Sequence, residues 1–435
     1  MGAMTQEPRQ STPLPGSRRA YVVYLWFEAA GFFCYMLTFT AGALYMIQVA
    51  HLDALQLVLV GTALEVSALV FETPTGLVAD TVSRRLSIII GAVLVGVGFI
   101  LWGAVPLFGP ILVAQVLWGI GATFQSGATE AWIADELGGQ DVGRTYLRAS
   151  QLGYVGAILG IGSAIFLGSW FSLQVPVIAG GIGHLLIAGV LVVVMPEQHY
   201  APLPRGDRSR ARVMIDTLLA GIRTVRGHPV LVTILAITFI GGAASETFDR
   251  LWELHLLTWF TFPSIPDLEP IAWFGVIGAT GLLASIGVVE FARRRFDTDT
   301  HLGAARALLL INTLLMLGLA GFALAGNFVL AVGCYLLARV MRRVSVPIGS
   351  AWINQSLTPH VRATVMSLDA QTDAIGQIAG GPLLGLLAMS AGTRVGMLTV
   401  AAFIVPSLIL YLRTIRLHGR DVIGDDETPA PADSI

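Results

Sequence analysis

The sequence predicts an all-α integral membrane protein: twelve transmembrane helices in two pseudo-symmetric six-helix bundles (6+6), with both termini cytoplasmic. Three observations carry that expectation. The 435-residue chain is 55 % hydrophobic and only 12 % charged, so most of its surface cannot face water; an ordinary soluble domain is about 25 % charged. Twelve apolar stretches have about the 20 residues that a helix needs to cross a bilayer core. All 26 basic residues are arginine, and they are unevenly spread between alternate loops. A soluble enzyme is excluded. The net charge of −2 gives no general attraction to nucleic acid or anionic surfaces. Cys34 and Cys334 both sit in apolar runs and form neither a disulfide framework nor a metal motif.

The expected spans of the first half are 21–47, 55–78, 87–104, 110–134, 146–168 and 173–195. Those of the second half are 229–258, 270–292, 304–324, 328–352, 364–388 and 394–414. Each is rich in Leu, Val, Ile, Ala and Gly and lacks the polar alternation of barrel strands. The first is too long and too aromatic for a cleaved leader, and no small-residue cleavage site follows it. The separators carry turn and charge signals: His51–Asp53, Arg84–Arg85, Pro106–Pro110, Gly138–Arg148, Arg293–Thr300 and Thr358–Arg362.

The longest connection, 196–228, opens with an Arg-rich stretch containing prolines, Pro196 to Arg212. It continues as Met214, Leu218, Ile222 and Val225, an amphipathic spacing suited to the membrane surface. The domains expected are a tail (1–20), a bundle (21–195), this linker (196–228), a second bundle (229–414) and a tail (415–435). The acidic stretch Asp421 to Ile435 is expected to be disordered.

Arginine sets the orientation, because basic residues are retained on the cytoplasmic side. With the N-terminus inside, 21 of the 26 arginines fall in cytoplasmic segments or at their edges. Only Arg250 and Arg394 fall outside, while Arg339, Arg342 and Arg343 lie within a span. The halves also share a trace of sequence. Ala131-Trp132-Ile133, closing the fourth span, recurs as Ala351-Trp352-Ile353 closing the tenth, and each is followed by a polar loop and an arginine. Duplicated halves with a site between them suit a secondary transporter.

Between the second and third spans stands Gly76-Leu77-Val78-Ala79-Asp80-Thr81-Val82-Ser83-Arg84-Arg85. This loop resembles the signature of the major facilitator superfamily, with Ser83 where glycine is more usual. The resemblance extends over nearly the whole chain through the 6+6 layout. It implies that Gly76, Asp80, Ser83, Arg84 and Arg85 form a latch that joins the halves in the outward-open state. An aspartate can sit at a neighbouring helix N-terminus, and arginines make charge-assisted bonds. The plainer alternative is a basic loop that only orients the chain.

Phe71-Glu72-Thr73-Pro74-Thr75-Gly76, the segment Ser126 to Glu136, and Arg362-Ala363-Thr364 resemble a drug/proton antiporter branch, of the multidrug or macrolide/tetracycline efflux kind. Gln115 stands where many members hold an arginine. The fifth-span glycines (Gly153, Gly156, Gly160, Gly162) lack the antiporter proline, and Gly380-Gly381-Pro382 occurs instead in the eleventh. The matching second-half loop, Glu290 to Arg295, keeps acid and base without the spacing.

An ionisable residue inside a bilayer costs at least a few kcal/mol, so each needs a partner or a role. Proton-coupling or substrate-binding candidates are Glu28, Glu65, Glu72, Glu130, Asp369 and Asp373. Apolar surroundings favour the protonated carboxyl, which lets such a group load and release a proton. A structural hydrogen-bonding role stays open for each. The seventh-span group Glu246, Asp249, Arg250 and Glu253 reads as a solvated outer entrance. If the tenth and eleventh spans face one another, constant position sums predict two buried ion pairs, Arg339 with Asp373 and Arg343 with Asp369. Arg342 is then left without an assigned partner.

The function expected is a proton-coupled secondary active transporter that works by alternating access and exports lipophilic or cationic small molecules. Alternatives are uptake symport of a sugar or organic acid, or translocation of a lipid-like amphiphile. A membrane enzyme or receptor would need a catalytic constellation or an appended domain, and the sequence offers neither. There is no Walker-type phosphate loop, and the eight histidines form no i,i+4 metal pair, so no metal and no cofactor are expected. The proton gradient supplies the drive. Partners expected are an amphiphilic small molecule, protons and the lipid bilayer, not nucleic acid. The expected state is a monomer in the cell (plasma or inner) membrane. Arginine holds its proton throughout, so transported protons ride on Glu or Asp.

Overall fold

The computed structural model describes residues 17–201, 229–263, 269–295, 300–355 and 359–425. Among these, every regular element is a helix. The first group is α1 (Ser17–Gln48), α2 (Ala54–Thr81), α3 (Arg84–Ala104), α4 (Phe108–Gln125), α5 (Ala128–Glu136), α6 (Val142–Trp170) and α7 (Gln174–Val194). The second is α8 (Pro229–Trp259), α9 (Pro270–Arg295), α10 (His301–Leu324), α11 (Phe328–Gln355), α12 (Pro359–Ala391), α13 (Thr393–Phe403) and α14 (Val405–Asp425). The linker's expected amphipathic helix lies outside the described residues.

Side-chain caps and backbone breaks set the boundaries. Asp53 starts α2 with a reciprocal capping box: its Oδ1 accepts from Gln56 N at 2.8 Å, and Gln56 Oε1 accepts from Asp53 N at 3.1 Å. Ser83 Oγ accepts from Leu86 N at 2.9 Å and starts α3. The stretch 110–134 is one apolar run in sequence but two helices, α4 and α5, in the fold. Gly127 adopts φ +68°, a conformation that L side chains rarely take, and it ends the helical ladder there. The run 394–414 also divides, because Pro406 has no N–H and cannot continue the helix from α13. α14 then runs to Asp425, so the start of the tail expected to be disordered is helical.

Among the described residues, eleven spans are long and apolar enough to cross a membrane, with α4–α5 and α13–α14 each counting as one. The tenth expected span forms α11, a 28-residue helix. It stands apart because Arg339, Arg342 and Arg343 crowd its middle. Outward-facing apolar residues such as Trp170, Val193 and Val329 are each about three-quarters exposed. A monomeric soluble protein does not carry that surface.

The packing partners repeat between the groups. α1 lies on α6 and α7, α3 on α4 and α7, and α2 on α4. In the second group α8 lies on α12 and on α13–α14, α10 on α11 and on α13–α14, and α9 on α11. The groups meet where α2 packs on α12 and α8, and where α6 packs on α9. The core divides in the same way. One continuous apolar cluster spans both groups at the end holding Leu44, Val58, Phe99, Phe248 and Leu256. At the opposite end each group has its own cluster, around Trp132 in the first and Trp352 in the second. The groups are therefore joined at one end and separate at the arginine-rich end.

Aromatic side chains brace the joined end. Tyr35 and Phe39 of α1 stack on each other and meet Phe99 and Trp118 within 4.9–6.5 Å. Trp252 stacks on Tyr335 with centroids 4.2 Å apart. These α1 aromatics are packing elements, while Trp26 is partly exposed and Phe32 lies against Gly153 of α6.

Candidate functional site

The second group encloses a 370 Å³ cavity with charged and hydroxyl-bearing walls. α8 supplies Thr238 and Ser245, α10 Asn312, α11 Arg342, α12 Asp369 and Asp373, and α14 Tyr411. Asp369 Oδ1 accepts a 2.7 Å hydrogen bond from Thr238 Oγ1. Asp373 Oδ2 accepts one of 2.8 Å from Gln377 Nε2. Arg342 pairs with Asp249 of α8 at 2.5 Å. Small residues let α8 approach α12 here: a Cβ on Gly242 would overlap the Asp373 backbone.

The two ion pairs expected between the tenth and eleventh spans are not made. Arg339 instead donates to Tyr335 Oη at 2.6 Å, one turn back on its own helix. Arg343 is exposed. The physical reason is helix placement. Constant position sums apply only to helices packed as a hairpin, whereas α11 lies mainly on α10 and α9, and α12 on α8 and α2. Arg342, left unassigned from sequence, is the arginine of α11 that finds a carboxylate.

Two of the three seventh-span acids also differ from a solvated entrance, while Asp249 is exposed. Glu246 is 3 % exposed and Glu253 9 %. Glu246 Oε1 accepts from Arg250 Nε at 2.9 Å, and this pair lies at the seam against α2. Gly61 is what admits it, since a Cβ there would overlap both side chains. Glu253 Oε2 is buried with no hydrogen-bond partner among the described residues. Nearby, His255 is held between Thr393 Oγ1 at 3.1 Å and the Phe322 carbonyl at 3.3 Å. The run of acids at i, i+3 and i+7 was visible in the sequence; that it faces α2 and α11 was not.

The remaining candidates fall into separate places. Glu65 is half-buried on α2, one turn from Gly61, and within electrostatic range of Glu246, Arg250, Asp373 and Asp249. It thus joins the charged centre from the first group. Glu28 is half-buried on α1 and lies within range of Glu130, away from that centre. Glu72 and Glu130 are exposed. No group of three or more His, Cys, Asp or Glu that could hold a metal occurs among the described residues.

The signature loop is tied to the first group. Ser83 Oγ donates to Glu197 Oε2 at 2.6 Å, and the Arg85 backbone N–H donates to Glu197 Oε1 at 2.9 Å. Arg84 pairs with Asp135 and donates to the Ala131 carbonyl at 2.7 Å. Arg85 reaches the Val192 carbonyl near the end of α7 at 2.5 Å. Trp132 of the repeated tripeptide donates to the Pro196 carbonyl at 2.7 Å. Gly76 is half-buried with open space beside it, and Asp80 is exposed and makes no ion pair among the described residues.

Membrane-crossing helices around a cavity with charged and hydroxyl-bearing walls define a multi-pass membrane protein with an internal binding space. More particularly, the chain belongs to the Major Facilitator Superfamily, whose family model matches residues 27–337. It is similar to the uncharacterized MFS-type transporter YxaM of Bacillus subtilis (strain 168), 22 % identical over 390 residues covering 87 % of this chain and 92 % of that protein. Among solved structures it is similar to the nucleoside transporter NupG, with TM-score 0.71 and 13 % identity over 92 % of this chain and 99 % of that one. It is also similar to the peptide transporter POT in complex with sulfate, with TM-score 0.70 and 15 % identity over 95 % and 96 % of the two chains. At these identities the likeness is one of fold.

Proposed function

We propose that the protein is a proton-coupled transporter of cationic or amphiphilic small molecules, working by alternating access and driving export. α11 counts as a further span in this reading, which gives twelve in a 6+6 arrangement with both termini cytoplasmic. The repeated packing partners of the two groups support that arrangement, and the arginine bias supports the orientation. The arginine-rich end, where the groups separate, is then the cytoplasmic end, and the joined end is the closed outer gate.

One observation carries the substrate class. The charged centre holds Asp249, Asp369 and Asp373 against Arg342, with Glu65 facing them across the seam. Carboxylates outnumber guanidinium groups, so the centre suits a cation or protons that replace one another. Glu65, Asp369 and Asp373 are the proton or substrate sites in this account. Glu28 serves a secondary relay toward Glu130, and Glu72 lies at the margin. The signature loop acts as the latch, with Asp80 free to engage the second group when the cytoplasmic end closes.

A second reading, uptake of a polar neutral solute by symport, is favoured by the hydroxyl and amide lining of Thr238, Ser245, Asn312, Ser345 and Tyr411. Proteoliposomes with an imposed pH gradient separate the two. Gradient-driven accumulation of ethidium, lost in Glu65→Gln and Asp373→Asn, is the expected result. Gradient-driven flux of nucleosides or dipeptides with ethidium inert would favour the second reading, and ethidium flux unchanged in both variants would overturn the proton sites.

A further inference from the structure

We propose that the cleft between the start of α1 and the start of α6 binds the phosphate of an anionic phospholipid. The cleft has a volume of 630 Å³ and is separate from the central cavity. Arg18 and Tyr21 of α1 line one wall; Arg144, Arg148 and Gln151 of α6 line the other. Three guanidinium groups therefore face one space, against the single carboxylate of Asp141, which is itself 3.6 Å from Arg144.

What the arginines do elsewhere makes this cleft distinctive. Arg19, the next residue along from Arg18, is spent on protein, donating to the Val194 and Val193 carbonyls at 2.9 and 3.1 Å. Arg84 and Arg85 are likewise occupied by carboxylate and carbonyl groups. Arg18 and Arg148 make no hydrogen bond or ion pair among the described residues, and both are exposed. Guanidinium groups bind phosphate oxygens in bidentate fashion, so an unpaired set facing a cleft is suited to a phosphate.

The source of that phosphate follows from what continues each helix. Val22 lies one turn from Arg18 and is 57 % exposed. On α6, Leu147 beside the cleft is 69 % exposed, and Val155, two turns on from Arg148, is 54 % exposed. Charge at the helix ends followed by outward apolar surface matches a headgroup followed by acyl chains. Basic pockets between helices at the cytoplasmic interface bind anionic headgroups on the same grounds. The inference rests on the membrane reading but not on proton coupling or on any substrate.

The test is native mass spectrometry of the full chain released from nanodiscs, counting retained phosphatidylglycerol and phosphatidylcholine. The expected result is a preference for phosphatidylglycerol of about tenfold, carried largely by the cleft arginines. Arg18→Gln with Arg148→Gln should bring the ratio close to one. Arg148→Lys, which keeps the charge but cannot make the bidentate contact, should lower the ratio by several-fold, and Arg413→Gln with Arg416→Gln should leave it unchanged. An equal preference in the cleft variant, or an equal loss in the control variant, would overturn the proposal in favour of general charge attraction. Displacement of the lipid by millimolar inorganic phosphate would also overturn it, because the cleft would then be a free-anion site.

Discussion

Glu246 and Arg250 form a buried charge pair that faces a glycine on another helix. Removing one partner strands the other charge in a site with little access to water, which typically costs about 3–5 kcal/mol. Arg250→Ala should therefore lower stability by about 3 kcal/mol in detergent unfolding, and Glu246→Leu with Arg250→Met should recover most of that loss. An equally unstable double variant would mean that the pair has bonds besides this one. Arg342 shows the limit of reading residues alone. Sequence marks an arginine in a span as needing a partner, but its partner Asp249 lies on a helix 93 positions away. Which carboxylate is nearest depends on helix neighbours, and a one-dimensional pattern does not encode those.

Helices were the most legible level, because about 20 apolar residues suffice to specify a crossing and polar loops mark the turns. The exceptions have local causes. Gly127 breaks the fourth span through a positive φ, a use of glycine that is hidden among the 49 glycines of the chain. The pairing of α12 with α8 and α2 rather than α11 had no sequence signal beyond Gly376, Gly380 and Gly381, which permit that approach. Gly380-Gly381-Pro382, noted in sequence for its likeness to an antiporter motif, sits where α12 meets Val58 and Glu246 at the seam. Gly61→Val should force α2 from α8 and open the joined end. Spin labels on Leu107 and Leu324 would then report a longer distance, and an unchanged distance would place the seam's closure elsewhere. Trp132→Phe should cost about 1 kcal/mol in unfolding, since it removes one buried hydrogen bond to the Pro196 carbonyl. No measurable change would mean that the repeated tripeptide serves packing alone.

Across the whole molecule, composition and the length of the apolar runs made the multi-pass membrane class readable from the sequence. The state was not readable, because two states of one transporter share a sequence and differ in which end is joined. Here one core bridges the groups at one end and two cores stand apart at the other. The signature loop lies at the separated end, with its bonds confined to the first group and its aspartate exposed. A rocking motion would exchange these arrangements, and proton binding at the central carboxylates would set their balance. Double electron–electron resonance on two label pairs tests this most directly: Leu107 with Leu324 at the joined end, and Gly143 with Arg294 at the separated end. Cys34 and Cys334 are first replaced by serine. Between mildly acidic and mildly alkaline pH the two distributions are expected to shift in opposite directions, one end closing as the other opens. Distances that ignore pH, or that lengthen and shorten together, would contradict proton-coupled alternating access.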